Sequence, residues 1–308
     1  MPKIAIVISV YNKERFLRAT LQGIFAQTFQ DFEVICIDDG STDGSAKIIK
    51  SIEDKRITYF FQQNQGASAA RNAGIARASA PYIAFLDADD HWYPDHLEVL
   101  NGSITNFPQQ SVFATAVEVT KNGRTSPRSY SIAKTHNPVV VDYFEASTRA
   151  SVLHSSALLV KKGVFKTTGG YNTAYKSGED TDLYVRIGLR YKVVFHPKIT
   201  VCYLLRPDGL SGTSKTLRGK ATFTEYAEAE GERANVKRFL DLNRFSIAVI
   251  SKLEGDTEGF KTIVAQIDPK NLNRKQRFLL KRSKTTLRLF LKIKQGLYRL
   301  GVRLSAFG

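Results

Sequence analysis

The first ninety residues alternate between unbroken apolar runs and stretches with helical spacing. KIAIVISV reads as a buried strand. Residues 14–27 then place Phe16, Leu17, Thr20, Leu21, Ile24 and Phe25 on one helical face. FEVICIDD predicts a strand that ends in two aspartates, DGSAKIIKSI a turn and a helix, and RITYFF a short strand. ASAARNAGIARA predicts an alanine-rich helix, and YIAFLDADD a fourth strand. This strand–helix order implies a parallel sheet with helices on both faces and right-handed crossovers. In such sheets ligands sit at the carboxyl ends of the strands. Those ends carry Ser9-Val10-Tyr11, Asp38-Asp39-Gly40 and the cluster at 87–90, so three strands aim polar groups at one crevice.

Beyond residue 110 the pattern is less regular. SVFATAVEVT and SVLHSSALLV read as strands with a polar loop over 121–138 between them. GVFKTTGGYN predicts a short helix broken by paired glycines, and EDTDLYVRIGLR an amphipathic helix. YKVVFHP and ITVCYLLR predict two strands, followed by the loop RPDGLSGTSK. Residues 217–253 and 258–267 have helical spacing. The expected division is an α/β domain over 1–214 and a helical extension over 215–308.

Charge sharpens that division. The chain of 308 residues carries a net +16, but no acidic residue follows Asp268, and residues 270–308 hold twelve Lys and Arg. The preceding part is nearly balanced, with 33 basic against 29 acidic residues. Within the basic tail, Leu287, Phe290, Leu291, Leu297, Leu300 and Leu304 fall near one helical stripe, with Arg288, Lys292, Lys294, Arg299 and Arg303 around it. That pattern predicts a helix lying on an anionic membrane surface; the plainer alternative is a helix packed on its own domain with a solvated basic face. Nucleic acid is the weaker partner, since no recognised binding module accompanies the charge. No stretch has the length of a membrane-spanning helix. The first residues read as a strand and not as a leader. Cys36 and Cys202, both in apolar runs, read as buried free thiols in a reducing compartment.

The cluster Asp87, Asp89 and Asp90 closing an apolar strand needs an explanation, because like charges at that spacing repel and lose hydration when buried. A helix cap near Pro94 is one answer. A divalent cation is the other: paired carboxylates suit Mg²⁺ or Mn²⁺, whose shell is completed by water and phosphate oxygens. The first loop, VYNKERF, has no glycine before Gly23, which excludes a dinucleotide fingerprint, and no GxxxxGK[ST] occurs.

Three segments together, VISVYNKERFLRATLQGIFAQTFQDFEVICIDDGSTDGSAKII, NQGASAARNAGIARASAPYIAFLDADDHWYPDHLE and GGYNTAYKSGEDTDLYVRI, resemble the family 2 glycosyltransferases over roughly residues 3–211. The resemblance implies the GT-A fold and inverting transfer. It implies that Ser9, Tyr11 and Asp39 hold a nucleobase and that Arg71 lies near the nucleotide phosphates. By the same resemblance Asp87 and Asp89 form a DxD pair, Asp87 near the ribose and metal and Asp89 as direct metal ligand. Glu179 and Asp180 match an ED pair whose aspartate is the general base. Arg206 matches a position near the diphosphate, although Pro207 and Asp208 follow where the family often has a histidine. Without the family, Arg71 reads equally well as a surface salt bridge, Glu179-Asp180 as a capped helix start, and Trp92 and His154 as packing residues.

The resulting expectation is a transferase that moves a sugar from a nucleoside-diphosphate sugar, UDP favoured, to a hydroxyl of a glycan or lipid-linked acceptor, as in surface-polysaccharide assembly. It is expected to use Mn²⁺ or Mg²⁺, to be cytoplasmic, and to lie peripherally on the inner face of the membrane. The alternative from another class is a catalytically silent sugar-nucleotide-binding module on a membrane scaffold. A sugar-nucleotide pyrophosphorylase is disfavoured by the same glycine-free loop.

Overall fold

The computed structural model describes residues 1–205 and 219–299. Ten strands form one sheet: β1 (Ile4–Val10), β2 (Phe32–Asp39), β3 (Ile57–Gln62), β4 (Tyr82–Phe85), β5 (His91–Trp92), β6 (Val112–Lys121), β7 (Arg124–Pro127), β8 (Val139–Val141), β9 (Leu158–Lys161) and β10 (Val193–Leu204). Their order is β3-β2-β1-β4-β9-β6-β10-β5, with β7 on β6 and β8 on β10. The first four are mutually parallel, as their alternation with helices requires. Strand β9 then runs antiparallel between β4 and β6. The connecting helices are α1 (Glu14–Phe25), α2 (Ser45–Lys50) and α3 (Ala67–Arg77); α4 (His96–Asn106), α5 (Tyr143–Ala146), α6 (Val164–Thr168) and α7 (Glu179–Gly188) follow.

Strand β1 shows why its run is apolar from Ile4 to Ile8. Ala5 and Val7 pack into a core on one face of the sheet with Phe85 and Leu183, whereas Ile4, Ile6 and Ile8 pack into the other with Leu17, Leu21 and Leu97. A strand covered on both faces has no solvent side to make polar. Helix α3 lies so close to β1 that a Cβ on Gly74 would stand 2.2 Å from Val7 Cγ1.

Three expected elements differ from those observed. The loop over 121–138 begins as a hairpin, β6 turning into β7 at Asn122-Gly123, both with positive φ; this is the two-residue turn that matches strand twist. The run SVLHSSALLV becomes a strand only from Leu158. Before it, His154 accepts from the Ser156 N–H and starts a 3₁₀ turn over Ser155–Ala157, a local bond that competes with the ladder. The two strands expected around Pro197 are one strand, β10, which absorbs the proline through shifts in register against β6.

The C-terminal part is helical: α8 (Ala227–Glu232), α9 (Ala234–Glu254), α10 (Thr257–Ala265), α11 (Arg274–Leu280) and α12 (Lys284–Arg299). Val236, Phe239 and Leu240 at the start of α9 belong to the same core as Tyr143 and Leu183, so the extension is rooted in the sheet domain. Its other end forms a small core of its own around Phe245, Ile263 and Leu272. Among the described residues no helix is long and apolar enough to cross a membrane.

Candidate active site

Strand β4 stops at Phe85 because the next residues turn back: the Asp90 N–H donates to the Asp87 carbonyl at 2.9 Å. Two hydroxyls fix that turn. Thr20 on α1 donates to the carbonyls of Ala88 and Asp90. Ser156 accepts from the Asp87 N–H and donates to the Asp90 carboxylate at 2.5 Å, while Trp92 Nε1 donates to the Ser156 carbonyl. Asp90 is buried. Burial first, and then the neighbouring Asp87 charge, push its carboxyl well above the ordinary value. It therefore serves the turn. Neither Asp89 nor Asp90 starts a helix, since α4 begins after Asp95.

Asp87 and Asp89 are left facing the crevice, and each meets a cation from a distant part of the chain. Asp89 pairs with Lys13 Nζ. Asp87 accepts from Arg71 Nη2 at 2.7 Å. Arg71 is buried on α3 with its guanidinium over the Tyr171 ring, 5.1 Å from the centroid. Its Nη1 lies 3.4 Å from Asp180 Oδ1 and 3.6 Å from Glu179 Oε1. One guanidinium thus gathers carboxylates from β4 and from the start of α7. Burial pulls the Arg71 pKa down, but the Asp180 and Asp87 charges outweigh it and hold it well above the ordinary arginine value. Burial likewise raises Asp87, and Arg71 outweighs it, leaving the Asp87 carboxyl below its usual range. The platform beneath is pinned by Asn72, whose amide donates to the Tyr171 carbonyl and accepts from its N–H, both at 2.8 Å. A Cβ on Gly170 would stand 2.3 Å from Asn72 Oδ1, so this glycine makes room for the clamp.

Glu179 and Asp180 occupy the first turn of α7, after Gly178 in a left-handed conformation, so neither is the cap. Asp180 is the more open, its side chain 38% exposed against 14% for Glu179. Its Oδ1 accepts from Ser155 Oγ at 2.9 Å. Burial and then the Asp180 charge push Glu179 up to about 7, against the pull of Arg71. Buried Asp182 takes a different part, binding Arg186 and the Tyr226 hydroxyl. His154 stacks on Tyr203; burial holds its pKa below the ordinary histidine value, against the pull of Asp87 and Asp180.

At the ends of β1 and β2 the loops are latched together. The Asn12 N–H donates to Ser41 Oγ and the Thr42 N–H to Asn12 Oδ1. Asp38 is buried and serves the turn, accepting from the Ser41 N–H and the Tyr59 hydroxyl. Asp39 accepts from Gln62 Nε2, the Gln65 N–H and the Gly66 N–H, which fix its carboxylate rigidly. Tyr11 beside it is 48% exposed and Ser9 half-buried. Arg206 lies outside the described residues.

Among the described residues no group of three His, Cys, Asp or Glu side chains is placed to hold a metal ion. The donor set is therefore no closed cage. Asp87 and Asp89 fit the open mode of Mg²⁺ or Mn²⁺, in which one or two carboxylates share the ion with water and substrate phosphates. Lys13 already brings a positive charge to Asp89 on a flexible stem that can swing aside.

Lys13, Ser155, Ser156 and Tyr171 belong to this constellation yet carry no signal in the sequence that singles them out. All four lie in turns or loops without periodicity, and the Lys13 and Ser155 contacts join residues 76 and 25 positions apart.

Comparison with known proteins gives this geometry its context. The profile described as Glycosyl transferase family 2 matches residues 5–169, more than half of the chain. Glycosyltransferase GlyA of Streptococcus pneumoniae is 41% identical over 107 residues, which are 34% of this chain and 15% of that one. An uncharacterized glycosyltransferase of Haemophilus influenzae is 48% identical over 101 residues, 32% of this chain and 40% of its own. The chain thus spans well under half the length of these relatives. The crystal structure of S. aureus TarS 1-349 in complex with UDP-GlcNAc superposes with a TM-score of 0.62 over 87% of this chain and 74% of that one, at 17% identity. At that identity the likeness is one of fold.

Proposed function

Because the chain belongs to glycosyl transferase family 2 and has the GT-A fold, we propose that it moves a sugar from a nucleoside-diphosphate sugar to an acceptor hydroxyl by a single displacement with inversion. The observation that carries this is the convergence on Arg71 of Asp87 at the end of β4 and Asp180 at the start of α7. It sets a candidate donor-side carboxylate beside a candidate base.

Asp39, held by three donors, keeps a lone pair for a nucleobase N–H, and exposed Tyr11 offers a ring on which the base can stack. UDP is the favoured nucleotide, since the TarS structure of the same fold holds UDP-GlcNAc. Asp89 and Asp87 would hold Mg²⁺ or Mn²⁺, which supplies Lewis-acid charge to the diphosphate leaving group when bound. Ser155 and Arg71 orient Asp180 through Oδ1, and its carboxylate takes the proton of the attacking hydroxyl. The acceptor oxygen bonds to the anomeric carbon as the bond to phosphate breaks, and the nucleoside diphosphate leaves with the electron pair. Arg206 would add charge beside that diphosphate.

Asp180→Asn tests the assignment. Transfer should fall at least a thousandfold while sugar-nucleotide binding survives; loss of both would make Asp180 structural.

We further propose that the acceptor is a glycan or lipid-linked saccharide met at an anionic membrane surface, on the cytoplasmic side. Support comes from α11 and α12. Leu287 is buried against the protein, but Phe278, Leu289, Leu291 and Ile293 are exposed among Arg and Lys with no acidic residue beyond Asp268. Phe278 stacks on Phe290 across the two helices, giving them one shared apolar patch.

A further inference from the structure

Away from the strand ends, a cleft of about 480 Å³ opens where the sheet domain meets the helical extension. Arg149, after α5, forms one wall. Arg238 on α9 and Lys270, Asn271, Asn273 and Gln276 around the start of α11 form the others. Among the described residues no acidic side chain lines it. Among the described residues, Arg149, Arg238 and Lys270 make no ion pair, unlike Arg233 nearby, whose guanidinium is held by Asp142 at 3.0 Å. Buried Asp241, three positions along α9 from Arg238, is already met by Lys237, the Asp268 N–H and Asn271 Nδ2.

Gln276 also lines the cleft. It is 1% exposed, and its Nε2 has no hydrogen-bond partner. The amide cannot simply be turned over, because its Oε1 accepts from the Asn273 N–H at 2.8 Å while the Gln276 N–H donates to Asn273 Oδ1 at 2.9 Å. This reciprocal capping pair needs oxygen on that side. The buried group left without a partner is therefore a donor. A buried amide N–H₂ without an acceptor costs free energy that an occupant would recover. Three unpaired cations and one orphan donor are complementary to an oxyanion of more than one charge.

We propose that this cleft binds a phosphate-bearing group, with Arg149, Arg238 and Lys270 supplying charge and Gln276 Nε2 a directed hydrogen bond. A second cleft of about 840 Å³, sharing Thr148, Arg238 and Asn271, continues from it and offers room for the remainder of the molecule. Arg149 and Ser155 are six positions apart, so the chain sets their Cα atoms at most about 22 Å apart. Resting on the transfer function proposed above, the proposal assigns this phosphate to the acceptor, whose hydroxyl would meet Asp180 beside Ser155.

The test is calorimetric titration of inorganic phosphate into the full chain saturated with UDP, which fills the donor site, alongside co-sedimentation with phosphatidylglycerol vesicles. Gln276→Glu keeps the capping acceptor and replaces the donor by a charge that repels anions; Arg149→Gln/Arg238→Gln removes two cations from exposed positions. Phosphate affinity should fall at least tenfold in both variants with UDP affinity unchanged. Loss of vesicle binding alone in the same variants would support a lipid phosphate as the source. Wild-type chain that binds neither, or variants that bind both as wild type does, would overturn the proposal. Failure of UDP itself to bind would speak against the transferase function and not against this cleft.

Discussion

The Arg71 guanidinium donates to Asp87 at 2.7 Å, joining helix α3 to the end of strand β4. The same group lies within 3.6 Å of Glu179 and Asp180 on α7. A buried cation set among three carboxylates holds together segments that would otherwise repel.

Removing that cation leaves the carboxylates uncompensated. Arg71→Met should destabilise the protein by about 3–5 kcal/mol at pH 7, the usual cost of breaking a buried ion pair from one side. The loss should shrink towards pH 4, as the carboxylates take up protons. Urea denaturation at the two pH values reads this directly. Equal loss at both would mean that packing on Tyr171, and not charge, is what Arg71 contributes.

Glu179 gives stability a second pH dependence. Its carboxyl is pushed up to about 7 in the folded chain, against an ordinary 4.5. The folded state then binds the proton more tightly than the unfolded one, so this contribution is full below about pH 4.5 and is lost as pH rises through 7. Glu179→Gln should match wild type near pH 4.5 and exceed it at pH 8 by roughly 1–3 kcal/mol. Thermal melts across that range check it. A variant no more stable at pH 8 would place the Glu179 charge in a favourable environment.

The exposed apolar groups on α11 and α12 make the membrane proposal specific. Phe278→Ser/Leu289→Ser/Ile293→Ser changes only exposed positions, so the fold should persist. Binding to phosphatidylglycerol vesicles should weaken at least tenfold and fall further in salt. Undiminished binding would remove these helices from the membrane contact.

The parallel half of the sheet is legible in the sequence because strands buried on both faces must be nearly continuous apolar runs, as Ile4–Ile8 is. Asp87 and Asp89 stand out because charge closing such a run asks for a partner, but the sequence does not separate them from Asp90, which is buried in the turn. Lys13 and Ser155 do not stand out, since their meaning lies in contacts 76 and 25 residues away. The turn at 154–157 is hidden by its apolar neighbours. There a histidine–serine bond, and not periodicity, decides the backbone. Strand β10 shows the opposite case, in which Pro197 reads as a break but is taken up by the register shifts against β6.

The most direct measurement is calorimetric binding of UDP, GDP and dTDP, each with and without Mn²⁺, to wild type and Asp89→Ala. The proposed donor site predicts that one nucleotide binds wild type, that Mn²⁺ strengthens it, and that Asp89→Ala abolishes the Mn²⁺ effect. A folded wild-type chain that binds none of the three, with or without the metal, would contradict it.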